Sequence, residues 1–132
     1  MQETGEENTQ KGRRRSNGEA LTQAAKAYIE THSAEKFSLQ ELASALYING
    51  CYLLRTFKQQ TGITLLSYHH QVRCEKAKVL LMQTDKCVSE IGEAVGFVSS
   101  SHFSHIFRKM EHCTPTEYRI LHKGFQEKTE NE

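Results

Sequence analysis

Two stretches of this chain repeat one another. Leu39, Glu41, Leu42, Ala45 and Leu46 correspond to Val88, Glu90, Ile91, Ala94 and Val95 at a constant offset of 49, while Leu53, Phe57 and Lys58 correspond to Phe103, Phe107 and Arg108 at an offset of 50. One residue has been added in the turn between. Whatever supersecondary unit one copy forms, the chain therefore holds it twice. Within each copy the apolar residues fall three and four apart, the spacing of one helical face. A short helix, a tight break and a second helix make the helix-turn-helix plan, with the small Ala45 or Ala94 expected where the two helices approach closely.

The rest of the sequence limits the fold around that repeat. With 132 residues and 37% apolar content there is room for one ordinary domain. Pro115 is the one proline, and no alternating Val/Ile/Tyr run argues for sheet, so an all-α fold of about seven helices is expected. A first helix covers about Glu19 to Thr31, with Leu21, Ala24, Ala25, Tyr28 and Ile29 on one face. Ser38 and Glu41 form a capping box for a short helix to about Leu46, and Asn49 caps another that ends near Gln60 with Gly62 in the left-handed conformation. A long linker helix follows from about Thr64 to Met82, then a short one from Val88 to Val95, a break at Gly96-Phe97, and a helix capped by Ser99 that runs to about Glu111. Thr114-Pro115-Thr116-Glu117 combines an N-cap, proline at the first helical position and a capping box, so a last helix follows. The first helix-turn-helix unit thus spans about 37–62, the linker helix about 64–82 and the second unit about 87–112, within a folded region of 19–123. Residues 1–18, which carry Arg13, Arg14 and Arg15, and the acidic tail 124–132 are too polar to offset their ordering entropy and are expected to remain unfolded.

The second helix of each unit buries its stripe through Leu53 and Phe57 or through Phe103 and Phe107, leaving the opposite face free. That face carries Tyr52, Arg55, Thr56 and Gln59 in the first unit, and Ser100, Ser101, His102, His105 and Lys109 in the second. Hydroxyl, imidazole, amide and basic groups on an exposed helix read base edges in the major groove or hold phosphates. Charge agrees locally rather than globally: the chain as a whole is at +1, but residues 37–123 hold ten Lys and Arg against seven Asp and Glu. The phenylalanines at 57, 97, 103 and 107 belong to the buried stripe, which disfavours single-strand stacking. His69-His70 reads most simply as helix surface.

Catalysis and metal binding find no constellation. No carboxylate pair, nucleophile with its base, or glycine-rich phosphate loop stands at usable spacing, so no catalytic residue and no cofactor is expected. Cys51, Cys74, Cys87 and Cys113 lie 23, 13 and 26 residues apart, which suits isolated thiols better than a metal site or a secreted disulfide framework. His102, His105, His112 and Cys113 do not complete a zinc site. No apolar stretch is long enough to span a bilayer and the first fifteen residues lack a hydrophobic signal core, so no membrane partner and a cytoplasmic location are expected.

The second unit, Ile91-x-x-Ala94-Val95-Gly96-Phe97-x-x-x-Ser101-x-Phe103-x-x-x-Phe107 with Pro115-x-x-Tyr118-Arg119 after it, resembles the signature of the AraC/XylS family of bacterial transcription regulators. Upstream, Leu39-x-x-Leu42-Ala43, Leu53-x-x-x-Phe57-Lys58, Gly62, Tyr68, Arg73 and Ala77 are similar to that family's first helix-turn-helix and linker helix, so the resemblance covers about residues 21–121. It implies a homeodomain-like, monomer-sized module whose two recognition helices enter successive major grooves of double-stranded DNA near a promoter, where it recruits RNA polymerase as an activator. By position, the base-reading slots are Cys51, Leu54 and Arg55 in the first helix and Ser100, Ser101, His102 and His105 in the second. Tyr52 and Lys58, and Arg108 and Lys109, complete the two DNA-facing sets. Gly92 replaces the usual Ala, which is expected to loosen its helix, and His112 replaces the usual Gly, which is expected to strain the turn before Pro115. Leu54 and Cys51 offer little hydrogen bonding, so the first helix is expected to read thymine methyls or shape. The competing reading is a protein interaction module that keeps the fold with weak or no DNA readout. A sensor domain does not fit in this length, which leaves either a stand-alone regulator or the C-terminal part of a longer one.

Overall fold

Side-chain caps decide where the helices of this chain begin, and left-handed residues decide where several of them stop. In the computed structural model, which describes residues 18–124, the helices are α1 at residues 18–31, α2 at Leu39–Ala45, α3 at Gly50–Thr61, α4 at Leu65–Gln83, α5 at Val88–Ala94, α6 at Ser100–Glu111 and α7 at Pro115–Arg119. A π-helical turn, Ile120–Gly124, follows α7, and no strand occurs among the described residues. The fold is all-α, as expected. The basic arm up to residue 17 and the tail beyond residue 124 lie outside the described residues. The described chain divides into two compact units, residues 18–31 with 37–68 and residues 32–36 with 69–124, so that the first turn of α4 belongs to one and the remainder to the other.

In the first unit Ser38 Oγ accepts from the Glu41 N–H at 3.2 Å and Asn49 Oδ1 accepts from the Tyr52 N–H at 3.1 Å, opening α2 and α3. Gly62, at φ 84°, closes α3 by donating its N–H to the Lys58 carbonyl at 2.7 Å. Leu53 and Phe57 are fully buried with Ala25, Leu42 and Leu65, and each large side chain of this kind contributes about 1.5–3 kcal/mol. Thr56 is buried as well, one turn from Leu53, and so does not stand on the exposed face where its polarity suggested. Tyr68 packs edge-on to Phe57 with centroids 5.7 Å apart and donates its hydroxyl to Glu30 at 2.6 Å, tying α1 to the start of α4.

The second unit repeats the plan with different closures. The Cys87 N–H donates to the Glu90 carboxylate at 3.1 Å, which opens α5 and holds the Glu90 carboxyl below the ordinary carboxylate range. Ser99 Oγ accepts from the His102 N–H at 3.1 Å, and Thr114 and Glu117 exchange the two bonds of a capping box at 3.1 and 2.9 Å. Ile91, Phe97, Phe103, Ile106 and Phe107 close one core with Cys74, Ala77 and Leu81 of α4. Two arginines stitch it. Arg73 is buried and donates to the carbonyls of Ser33 at 2.6 Å and Glu35 at 2.8 Å, while Arg119 donates to the carbonyls of Leu81 and Thr84, both at 3.1 Å, and so serves the C-terminal end of α4.

Several positions differ from their sequence reading. Ala45 and Ala94 are exposed; the small buried residues are Ala43 and Gly92, each two positions earlier. A β-carbon on Gly92 would stand 2.8 Å from Cδ2 of Phe103, so this glycine makes room for the ring. His112 does sit in the left-handed region, at φ 68°, where it ends α6 by donating its N–H to the Arg108 carbonyl at 2.8 Å. His69 is buried rather than on the surface, and burial, then the charges of Arg73 and His70, push its imidazole down to about 4.

A residue with a β-carbon at φ 68° carries strain that glycine lacks, so His112→Gly is expected to raise the unfolding free energy by about 1 kcal/mol in a denaturant titration. Gly96, at φ 111° with the Ala34 carbonyl 2.6 Å from where a β-carbon would lie, tolerates no side chain, and Gly96→Ala should cost about 2–4 kcal/mol in the same titration. For His69 the unfolded chain binds the proton first: folding stability is intact above about pH 6.5 and falls as the pH drops toward about 4, by on the order of 3 kcal/mol at most. His69→Phe should flatten that acid limb in chemical denaturation measured across the same range, and an unchanged slope would count against this assignment.

Candidate nucleic-acid interface

Helical geometry divides α3 into two sides. With about 100° between successive residues, Leu53, Thr56 and Phe57 define the buried side and Cys51, Arg55 and Lys58 stand opposite, flanked by Leu54 on one edge and Tyr52 and Gln59 on the other. Cys51, Tyr52, Leu54, Arg55 and Lys58 are exposed, as is Gln59, whereas Thr56, expected on the same face, is not. The apolar pair among them is conspicuous in numbers: Tyr52 keeps 43% and Leu54 41% of their surface in solvent. No core position of this unit needs either one.

The same register holds in α6. Phe103, Ile106 and Phe107 are buried, and Ser101, His105 and Arg108 stand opposite them, at the offset of 50 that relates them to Cys51, Arg55 and Lys58. Ser100, Ser101, His102, His105, Arg108 and Lys109 are exposed, and because Ser99 supplies the cap, Ser100 does not. The third buried position of each stripe, Thr56 and Ile106, escapes the sequence reading. The repeat holds the signal: the two residues are 50 apart like the rest, but one is polar.

His102 is not a free side chain. Its ring lies edge-on to Phe97 with centroids 5.5 Å apart and to His70 at 6.0 Å. His70 in turn stacks on Phe97 at 6.2 Å, and the Arg73 guanidinium covers the same Phe97 ring at 5.1 Å. Sequence reasoning misses His70 and Phe97 as neighbours of an expected DNA-facing residue, since nothing in the spacing of α4 links it to the start of α6.

The positive charge is partly committed inside the fold. Arg73 and Arg119 serve carbonyls, and Lys78 pairs with Glu75 at 2.8 Å and Glu111 at 3.2 Å. Arg55, Lys58, Arg108 and Lys109 remain on the exposed faces of α3 and α6. Of the thiols, Cys51 and Cys87 are exposed, and burial pushes Cys74 up to about 12. Among the described residues no group of three His, Cys, Asp or Glu is gathered closely enough to hold a metal ion, and no helix is long and apolar enough to cross a membrane.

Comparison with known proteins agrees with this geometry. A family profile described as a helix-turn-helix domain matches residues 42–120. The bifunctional transcriptional activator/DNA repair enzyme AdaA of Bacillus subtilis is 36% identical over 96 residues, which cover 73% of this chain and 46% of that protein. An AraC-type transcriptional regulator from Chromobacterium violaceum superposes with a TM-score of 0.74 at 31% identity, over 80% of this chain and 94% of that one. The DNA-binding domain of the global transcriptional factor AdpA, solved in complex with a target DNA, gives 0.72 at 27% identity, over 79% and 93%. The chain spans less than half the length of the curated relatives it matches. With its duplicated unit and both exposed helix faces in matching register, the chain belongs to the AraC/XylS family of helix-turn-helix transcription regulators.

Proposed function

We propose that this chain binds double-stranded DNA sequence-specifically and regulates transcription, with α3 and α6 inserted into successive major grooves beside a promoter. The observation that carries the reading is the matched pair of exposed faces, Cys51, Arg55 and Lys58 on α3 and Ser101, His105 and Arg108 on α6, each backed by a fully apolar or nearly apolar stripe. Hydrogen-bonding groups at the centre of such a face suit base edges, and cations one turn further suit phosphates. The family and the AdpA domain solved on its target DNA support the same ligand. Recruitment of RNA polymerase, activation rather than repression, and a monomeric DNA-bound state belong to this proposal.

The exposed Leu54 and Tyr52 favour one competing use, a protein contact that has replaced base reading on α3. Salt separates the two. Phosphate contacts release counterions, so binding to a selected promoter fragment should weaken steeply with salt, and Lys58→Ala or Arg108→Ala should each reduce the log–log slope by about 1. A flat salt dependence would favour the protein contact.

Direct readout is expected at Arg55 and His105. Arg55→Ala and His105→Ala should each weaken specific binding by about 1–3 kcal/mol while leaving the unfolding transition in place, since both side chains are exposed. Equal affinities of wild type and both variants in a fluorescence-anisotropy titration would remove the direct-readout mechanism.

A further inference from the structure

We infer that His70, on α4, is a positioning residue for His102: with Phe97 it forms the seat that holds the His102 imidazole at the start of α6, and so fixes what that ring presents to DNA. The inference rests on the DNA-reading role proposed for α6. Four observations carry it. His102 is the third residue of α6, and its backbone N–H is held by Ser99 Oγ, so its Cα is fixed while its side chain remains exposed. Its ring meets Phe97 and His70 edge-on at 5.5 and 6.0 Å. Phe97 itself cannot move away, because it is buried, covered by Arg73 on one side and packed against Phe103 at 5.2 Å. His70 is half-buried and stacks on Phe97 with an interplanar angle of 28°. Without the His70 ring the seat loses one wall, and a solvent-facing histidine recovers its rotamers, an entropy that DNA binding must then remove.

The seat also depends on charge. His69 and Arg73 on α4 and His102 and Lys109 on α6 are the titratable and charged groups around His70. Burial first, then His102, Arg73 and Lys109, hold its protonation below the ordinary histidine range. A neutral His70 stacks on Phe97 and faces His102 without repulsion; a protonated one adds a cation beside Arg73 and Lys109. The seat should therefore loosen on acidification rather than at neutral pH.

The test uses the full chain with His70→Phe, which keeps a flat neutral ring, and His70→Ala, which removes it. One arm needs no DNA: in a histidine-resolved carbon–proton NMR spectrum at about pH 7.5 the His102 ring signals should stand away from exposed-histidine positions in the wild type and in His70→Phe, and move toward them in His70→Ala. His102 signals identical in all three proteins would overturn the inference whether or not the chain binds DNA. The second arm measures affinity for a sequence selected by the wild type. His70→Ala is expected to lose about three- to tenfold, the scale of one aromatic pair, and to cost nothing further when introduced into His102→Ala. His70→Phe should keep wild-type affinity at about pH 7.5. Additive losses in the double variant would overturn it. Failure to select any sequence would instead remove the DNA-reading proposal and leave the NMR arm to decide the seat.

Discussion

The buried stripe of the second helix in each unit is the constraint on which everything else depends. Three side chains at i, i+3 and i+4, Leu53, Thr56 and Phe57 in one copy and Phe103, Ile106 and Phe107 in the other, fix the rotation of that helix about its axis. Rotation fixed on one side is exposure fixed on the other. The register of Arg55 and His105 with solvent is therefore a packing result and needs no interaction of its own. The second copy shows how tight the packing is: the Phe103 ring comes within 2.8 Å of where a β-carbon at position 92 would be, and Gly96 lies against the Ala34 backbone where no side chain fits.

The arginines and lysines divide into two kinds. Arg73 and Arg119 are given over to backbone carbonyls, a use in which the planar fork of donors matters more than the net positive field. The cations of α3 and α6 stand exposed, where a phosphate backbone could meet them. A count of charges over the sequence mixes the two. This is why a modest excess of cations over residues 37–123 says less about a ligand than the four basic groups on the two exposed faces.

What depends on the neighbouring few residues is legible in the sequence. Asn49, Ser99 and Thr114 as caps, Gly62 as a left-handed stop and Pro115 at a first helical position are local matters of a few atoms, and the ends of α3, α6 and the start of α7 fall within a residue or two of expectation. Of the side chains placed on the two outward faces all but Thr56 are exposed, because the repeat supplies the rotation of α3 and α6. What depends on how helices cross is not legible. Ala45 and Ala94 are about as small as Ala43 and Gly92, and the choice between them is made by the crossing point. Thr56 and His69 look like surface in one dimension and are buried in three. The seat of His102 joins residues 32 apart, and the π-helical turn at Ile120–Gly124 follows no pattern in the sequence that we can identify.

If the duplicated unit is used twice, the length of DNA that one chain reads must show it. Selecting sites from random duplexes and mapping the protected base pairs for a single bound chain measures this directly. Engagement of both α3 and α6 by one monomer predicts a continuous, non-palindromic site of about 20 base pairs. A site of half that length, or a palindrome filled by two chains, would mean that only one helix of each chain reads DNA.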